Sequence, residues 1–243
     1  MKSAGYYDLR QALTEPGCAL CRLLAQAADR YIDGVLWELV NDPALRQELN
    51  QTRGYCREHA WLLVRHGASL GAAIMMKDII DTLLRVAEAA KFEPSSSFSL
   101  HQMWQNFNST QLSAATAKLT ADLAPQAPCP VCIKVQTTEA YYLVALSQHL
   151  TGPDNLAPAY RASDGLCLPH FRLTLTQITD QETFTALVEA QKAVWQRLSA
   201  ELSEFIRKND YRFSHEPIGS EGNAWLRAIE AISGAAPPKL KGQ

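Results

Sequence analysis

The sequence predicts an all-α protein: an internally duplicated helical bundle in which each copy carries a metal site of three cysteines and one histidine, followed by a C-terminal helix. Three observations carry that expectation. Apolar residues recur every three to four positions over long stretches, no stretch alternates with the period of two that marks a strand, and a pair of cysteine–histidine motifs occurs twice at one fixed offset.

The motifs are CALC at 18–21, CREH at 56–59, CPVC at 129–132 and CLPH at 167–170. One offset of 111 positions relates all four ligand pairs: 18 to 129, 21 to 132, 56 to 167 and 59 to 170. The same offset aligns Tyr31 with Tyr142, Leu45 with Leu156 and Gly54 with Gly165, and it keeps the separation between each CxxC and its CxxH identical. A period this long sets the chain apart from solenoid repeats of 20–50 residues. The expected organisation is a first copy over 1–92, a linker over 93–109, a second copy over 110–209, and a C-terminal loop, helix and tail over 210–243.

Within the first copy, Leu20, Leu24, Ala27, Tyr31, Val35 and Leu39 mark one face of a helix that opens at CALC. NDP at 41–43 breaks it, with Asp42 placed to cap a new helix and Pro43 to fill its first turn. CREH opens a further helix, and a long one spans about 68–92, striped by Leu70, Ile74, Ile80, Leu83, Leu84 and Ala87. The second copy begins with a helix around 110–123. Val131, Val135, Tyr142, Leu146 and Leu150 then repeat the pattern of the first helix, and TGPD at 151–154 ends it. After CLPH a helix runs over about 180–209, with Phe184, Leu187, Val188, Val194, Trp195, Leu198, Leu202, Phe205 and Ile206 on its apolar side. SEGNAWLRAIEAISG at 220–234 reads as a capped helix closed by Gly234.

Composition limits the function classes. Hydrophobic residues make up 47% of the 243 residues and charged ones 20%, so a packed core is expected. A net charge of −2 gives no basic face for nucleic acid, and no apolar run approaches the roughly 18 residues of a membrane span. The N-terminal residues show no signal-peptide pattern, so the expected location is the cytoplasm, where structural disulfides are disfavoured. All six cysteines lie in the four motifs.

Metal ligation accounts for them best. A CxxC pair turns two sulfurs toward one point, a CxxH pair in a first helical turn does the same for a thiolate and an imidazole, and four such ligands suit tetrahedral zinc with no open position. The expected ligands are Cys18, Cys21, Cys56, His59, Cys129, Cys132, Cys167 and His170, holding two zinc ions per chain. An iron–sulfur cluster is the chemical alternative, although neither copy has the close cysteine run of ferredoxins. Haem attachment fails because Arg22 and Ile133, not histidine, come directly after the CxxC pairs, and a thioredoxin-like dithiol lacks a βαβ setting. Each copy is expected to close its own site, Cys18 and Cys21 with Cys56 and His59; an interlocked arrangement, first CxxC with second CxxH, stays open.

Four protein ligands leave no place for a metal-bound water, so enzyme activity is not the leading expectation. The remaining candidate for a site is 209–230, which gathers Tyr211, Arg212, His215, Glu216, Trp225 and Arg227. Its simpler reading is packing of the last helix through Phe213 and Trp225. His66, His101, His149 and His215 lie outside the ligand register.

The ligand register, the GYC…H and GLC…H turns and the closing DYRF…EP…E…AWLRAIE…G segment resemble an uncharacterised bacterial family of unknown function with duplicated CxxC and CxxH motifs. The resemblance covers most of the chain and implies a soluble bacterial protein; it brings no catalytic residue. The expected function is therefore a zinc-binding helical protein with two structural sites, a binding module for a protein or small-molecule partner. The alternatives are a thiol-based redox sensor or iron–sulfur protein, and an enzyme using 209–230.

Overall fold

A computed structural model describes residues 3–91, 114–153, 155–213 and 215–236. The expected linker at 93–109 and the tail beyond residue 236 lie outside them. The described residues are all-helical and contain no strand.

Chain order begins with α1 (Ala4–Ala12), which the apolar pattern does not mark; Ser3 caps it by accepting a hydrogen bond from the Tyr6 amide. Then come α2 (Ala19–Gly34), continued by a π-helical turn over Val35–Leu39, and α3 (Pro43–Gln51). Asp42 caps α3 from the extended region, its carboxylate accepting the Leu45 amide at 2.8 Å, and Pro43 fills the first helical position as expected. Next are α4 (Arg57–Ala60), α5 (Ser69–Ala89) and α6 (Ala114–Leu123). The order then repeats with α7 (Pro130–His149), α8 (Ala157–Ala162), α9 (Leu168–Leu175) and α10 (Gln181–Lys208), and closes with α11 (Ala224–Ser233).

The chain divides into two compact units that do not follow sequence order. One holds the described residues up to Arg30 together with those from Lys134 onward; the other is Tyr31–Ile133. The divide falls inside α2 and α7.

In the first unit Leu9, Leu20, Leu146, Leu150, Leu156, Tyr160, Leu166 and Leu187 are almost wholly buried in one core. Gln191 sits at 0% exposure among them, and its side-chain amide pairs with both backbone groups of Leu166: Nε2 donates to the carbonyl at 3.2 Å, and Oε1 accepts the amide at 3.1 Å. The Tyr160 hydroxyl donates to the same Oε1. A buried amide fully partnered in this way stabilises one backbone conformation, because any shift would strand a polar group away from water. In the second unit Leu49 and Tyr55 are buried where the 111 offset puts Tyr160 and Leu166. Large and small side chains exchange places, which conserves the volume of the pair.

Two apolar stripes differ from expectation. On α5, Leu70, Ile80 and Leu84 are exposed while Met75 and Ile79 are buried, so the core-facing side is rotated away from the leucine-rich one. On α11, Trp225 is exposed and does not anchor the helix. Ala224 at its start, and Glu221 in the turn Ser220–Asn223 before it, are buried instead. Lys208 at the end of α10 pairs with Glu221 at 2.7 Å, and the Gly219 amide donates to the same carboxylate oxygen at 2.9 Å. That amide first, and then Lys208, hold the Glu221 carboxyl down at about 2. A carboxyl lowered on folding stabilises the native state above its ordinary value near 4.5, and the contribution fades as pH falls toward about 2. Amide exchange in α11, corrected for intrinsic rates, is therefore expected to accelerate from pH 6 to pH 3. Glu221→Gln should show the faster exchange already at pH 6 and a smaller change on acidification; an unchanged pH response in that variant would remove Glu221 from the account.

Candidate metal centres

All four motifs place their ligands at helix starts in the same way. Cys56 and Cys167 cap α4 and α9 from the extended region, with His59 and His170 at the third helical position. Cys18 and Cys129 immediately precede α2 and α7, with Cys21 and Cys132 again third. The cap and the third residue of a helix face each other, which is the geometry by which a capping box reaches across the first turn. Free amides and the positive end of the helix dipole favour thiolate there. Glycine is required just ahead of two of these caps: Gly54 and Gly165 have φ of +89° and +69°, and a Cβ on Gly165 would sit 3.0 Å from Gln191 Oε1 and 3.2 Å from Val194.

The eight residues gather into two clusters, each with its ligand atoms within 4.8 Å of one another: Cys18, Cys21, Cys167 and His170 in the first unit, and Cys56, His59, Cys129 and Cys132 in the second. This corrects the expectation that each copy closes its own site; Cys18 and Cys21 do not share a cluster with Cys56 and His59. Helix lengths explain it. From Ala19 to Leu39 the chain runs about 30 Å outward at 1.5 Å per residue, and the return is helical over the nine residues of α3, covering only about 14 Å. An extended return would have sufficed. In the second copy the 20 residues of α7 carry the chain about 30 Å out, and the six of α8 bring it about 9 Å back.

The spacing of the ligand atoms matches one ion. Tetrahedral zinc with bonds of about 2.3 Å to sulfur and about 2.0–2.1 Å to nitrogen has sulfur–sulfur edges of about 3.8 Å and sulfur–nitrogen edges of about 3.6 Å. Cys21 and Cys167 lie 3.7 Å apart, as do Cys56 and Cys132. His170 Nδ1 is 3.4, 3.3 and 3.1 Å from the sulfurs of Cys18, Cys21 and Cys167. His59 Nδ1 is 3.2, 3.8 and 3.4 Å from those of Cys56, Cys129 and Cys132. All six cysteines are free thiols, and a disulfide would need about 2.05 Å.

The ligand groups differ in how readily they ionise. Hydrogen bonds from Cys167 and then Cys18 hold the Cys21 thiol well below its ordinary range, whereas hydrogen bonds to Cys167 and Cys21, with burial, push Cys18 far up. Burial works against charge on His170, yet the sulfurs of Cys167 and Cys21 outweigh it and raise the imidazole to about 10. In the second cluster, burial first and then Cys56 push Cys132 up to about 12, and burial lowers His59 despite Glu58. A metal entering either cluster must displace protons, as thiolate and neutral imidazole sites do.

A family model matches residues 9–239, a span that contains all eight ligands. Its description is a family of unknown function, DUF6062. The chain belongs to that family. A curated relative of this DUF6062 chain is the uncharacterized 23.9 kDa protein in the xynA 3′ region of Caldicellulosiruptor sp. (strain Rt8B.4), 24% identical over 221 residues that cover 90% of this chain and 96% of the relative. No solved structure matches. The bacterial relative and the family description agree with the resemblance read from the motifs, and neither names an activity.

Sequence reasoning missed two residues that serve the DUF6062 clusters. Glu139 on α7 accepts from His170 Nε2 at 3.1 Å, the carboxylate–histidine arrangement that orients ligating imidazoles in metal sites. Gln191 fixes the backbone directly before Cys167. Its signal was a glutamine on the buried side of α10, between Leu187 and Val194. The side chains singled out in the segment 209–230 do not converge: Arg212 pairs with Asp210 at 2.7 Å, and Glu216 pairs with Arg207. Of that group Arg227 lines the cavity beside Cys18 and Cys167, together with Asp164, Arg197 and Glu230. His149 meets the Ser3 hydroxyl at 3.1 Å; His101 lies outside the described residues. No described helix is long and apolar enough to cross a membrane.

Proposed function

We propose that this chain is a zinc protein whose two sites of three cysteines and one histidine are structural, each tying the start of one helix to the start of another, and that the scaffold so held presents a surface to a protein partner in the bacterial cytoplasm. The observation that carries the metal half is the pair of four-atom ligand sets, each with its atoms within 4.8 Å of one another and with one sulfur–sulfur edge of 3.7 Å. Their size supports a single ion over an iron–sulfur cluster, whose two or four bridged irons need a wider ligand set. Three thiolates and an imidazole favour zinc among the common divalent ions. The interaction half rests on α11, where Trp225, Leu226, Ile229 and Ile232 are exposed at helical spacing along one face.

The test is elemental analysis of protein purified without chelators. Two equivalents of zinc per chain are expected, with no visible absorbance. A brown protein carrying iron and sulfide would replace zinc with a cluster, and protein without any metal would end the reading.

A further inference from the structure

The two clusters have different surroundings. In the first, Cys18, Cys167 and His170 are buried, Glu139 receives the outer nitrogen of His170, and the Ala235 amide donates to Cys21 Sγ at 3.5 Å. Gly234, at φ +90°, comes directly after α11 and passes so close that a Cβ there would lie 3.6 Å from Cys21 Sγ and 3.9 Å from Cys167 Sγ. The end of the C-terminal helix therefore covers this cluster, and an amide hydrogen bond steadies one of its sulfurs.

In the second, Cys129 is the only ligand that is buried; Cys56, His59 and Cys132 are each partly exposed. Among the described residues no carboxylate meets His59 Nε2. The offset that relates the motifs takes Glu139 back to Ala28, so the duplication supplies no acceptor there. An outer carboxylate raises ligand basicity and fixes the ring, and losing such a partner typically costs about 10–100-fold in metal affinity. Exposure adds a route, because a chelating group must reach the ion to take over its ligands one at a time.

We propose that the two sites differ in kind: the cluster of Cys56, His59, Cys129 and Cys132 exchanges its thiophilic divalent ion with the surroundings, while the cluster of Cys18, Cys21, Cys167 and His170 retains its own. The protein then joins a permanent anchor to a site whose occupancy tracks the available metal. This rests on the reading of both clusters as metal sites.

The experiment uses full-length protein reconstituted with zinc and passed through a desalting column. It is challenged at constant pH with an excess of EDTA, while released zinc is followed with time and free thiols are trapped by N-ethylmaleimide and located by mass spectrometry. Two equivalents at the start are expected, leaving in two phases at least about 10-fold apart in rate. Cys56, Cys129 and Cys132 should be labelled in the first phase, Cys18, Cys21 and Cys167 in the second. Glu139→Gln should speed the second phase and leave the first unchanged; circular dichroism before the challenge shows that the variant is folded. Two equivalents leaving at one rate, or earlier labelling of Cys18, Cys21 and Cys167, overturn the proposal and leave the metal reading standing. A single equivalent after desalting, with Cys56, Cys129 and Cys132 labelled at once, is the same asymmetry and supports the proposal; protein that takes up no zinc on reconstitution overturns both.

Discussion

Replacing Cys18 and His170 together is expected to cost little more stability than replacing either alone. Both side chains belong to one cluster, so the first substitution already removes a four-coordinate site and the second finds nothing left to lose. Each single change to alanine should cost several kcal/mol, given that structural zinc contributes about 10–16 kcal/mol to the folding of small peptides and that the core of Leu20, Tyr160, Leu166 and Leu187 remains here. The coupling between Cys18 and His170 should then exceed the range of about 0.5–3 kcal/mol for ordinary contacting pairs. Cys18 and His59 provide the contrast, because they belong to different clusters and their effects should add. Denaturant titration of the singles and doubles decides the matter: additivity for 18 with 170, and strong coupling for 18 with 59, would restore closure within each copy and contradict the observed pairing.

Removing both ions should lower the melting midpoint by at least about 12–24 °C, taking a loss of about 6 kcal/mol and about 2–4 °C per kcal/mol for a chain of this size. The fall should be reversed by zinc and not by magnesium, which does not favour thiolate ligands. Secondary structure should survive at low temperature, since α2, α5, α7 and α10 have apolar faces of their own. A midpoint unmoved by chelation, in protein shown to have lost its metal, would mean that the clusters do not hold the fold together.

The eight residues that gather into the two clusters were legible because two constraints coincide in them: motif spacing and a single offset that chance does not produce. Their pairing was not. The stretch between a CxxC and the next CxxH allows closure at home if the return path is extended, and α3 and α8 make much of that path helical and therefore short. The helices themselves were readable from periodicity, Asp42 and Pro43 giving one boundary directly. On α5 the same periodicity misled, because Leu70, Ile80 and Leu84 form a stripe as regular as the buried pair Met75 and Ile79, and only packing distinguishes an inward apolar face from an outward one. Glu139 and Gln191 escaped for a related reason: a polar residue on a helix shows its purpose only when its partner, His170 or the Leu166 backbone, is brought beside it.

The crossed use of the motifs produces loops set one inside the other. The pair formed by residues 56–59 and 129–132 lies wholly between the halves of the pair formed by 18–21 and 167–170. During synthesis from the N-terminus, the inner set has all its ligands outside the ribosome once residue 132 has emerged, while the outer set still awaits residue 170. With the inner ion in place, the span that must be brought together for the outer set is shortened by roughly half, which reduces its closure entropy, if only by a fraction of a kcal/mol under the logarithmic law. The order of emergence is thus also an order in which the inner set can close before the outer one is complete.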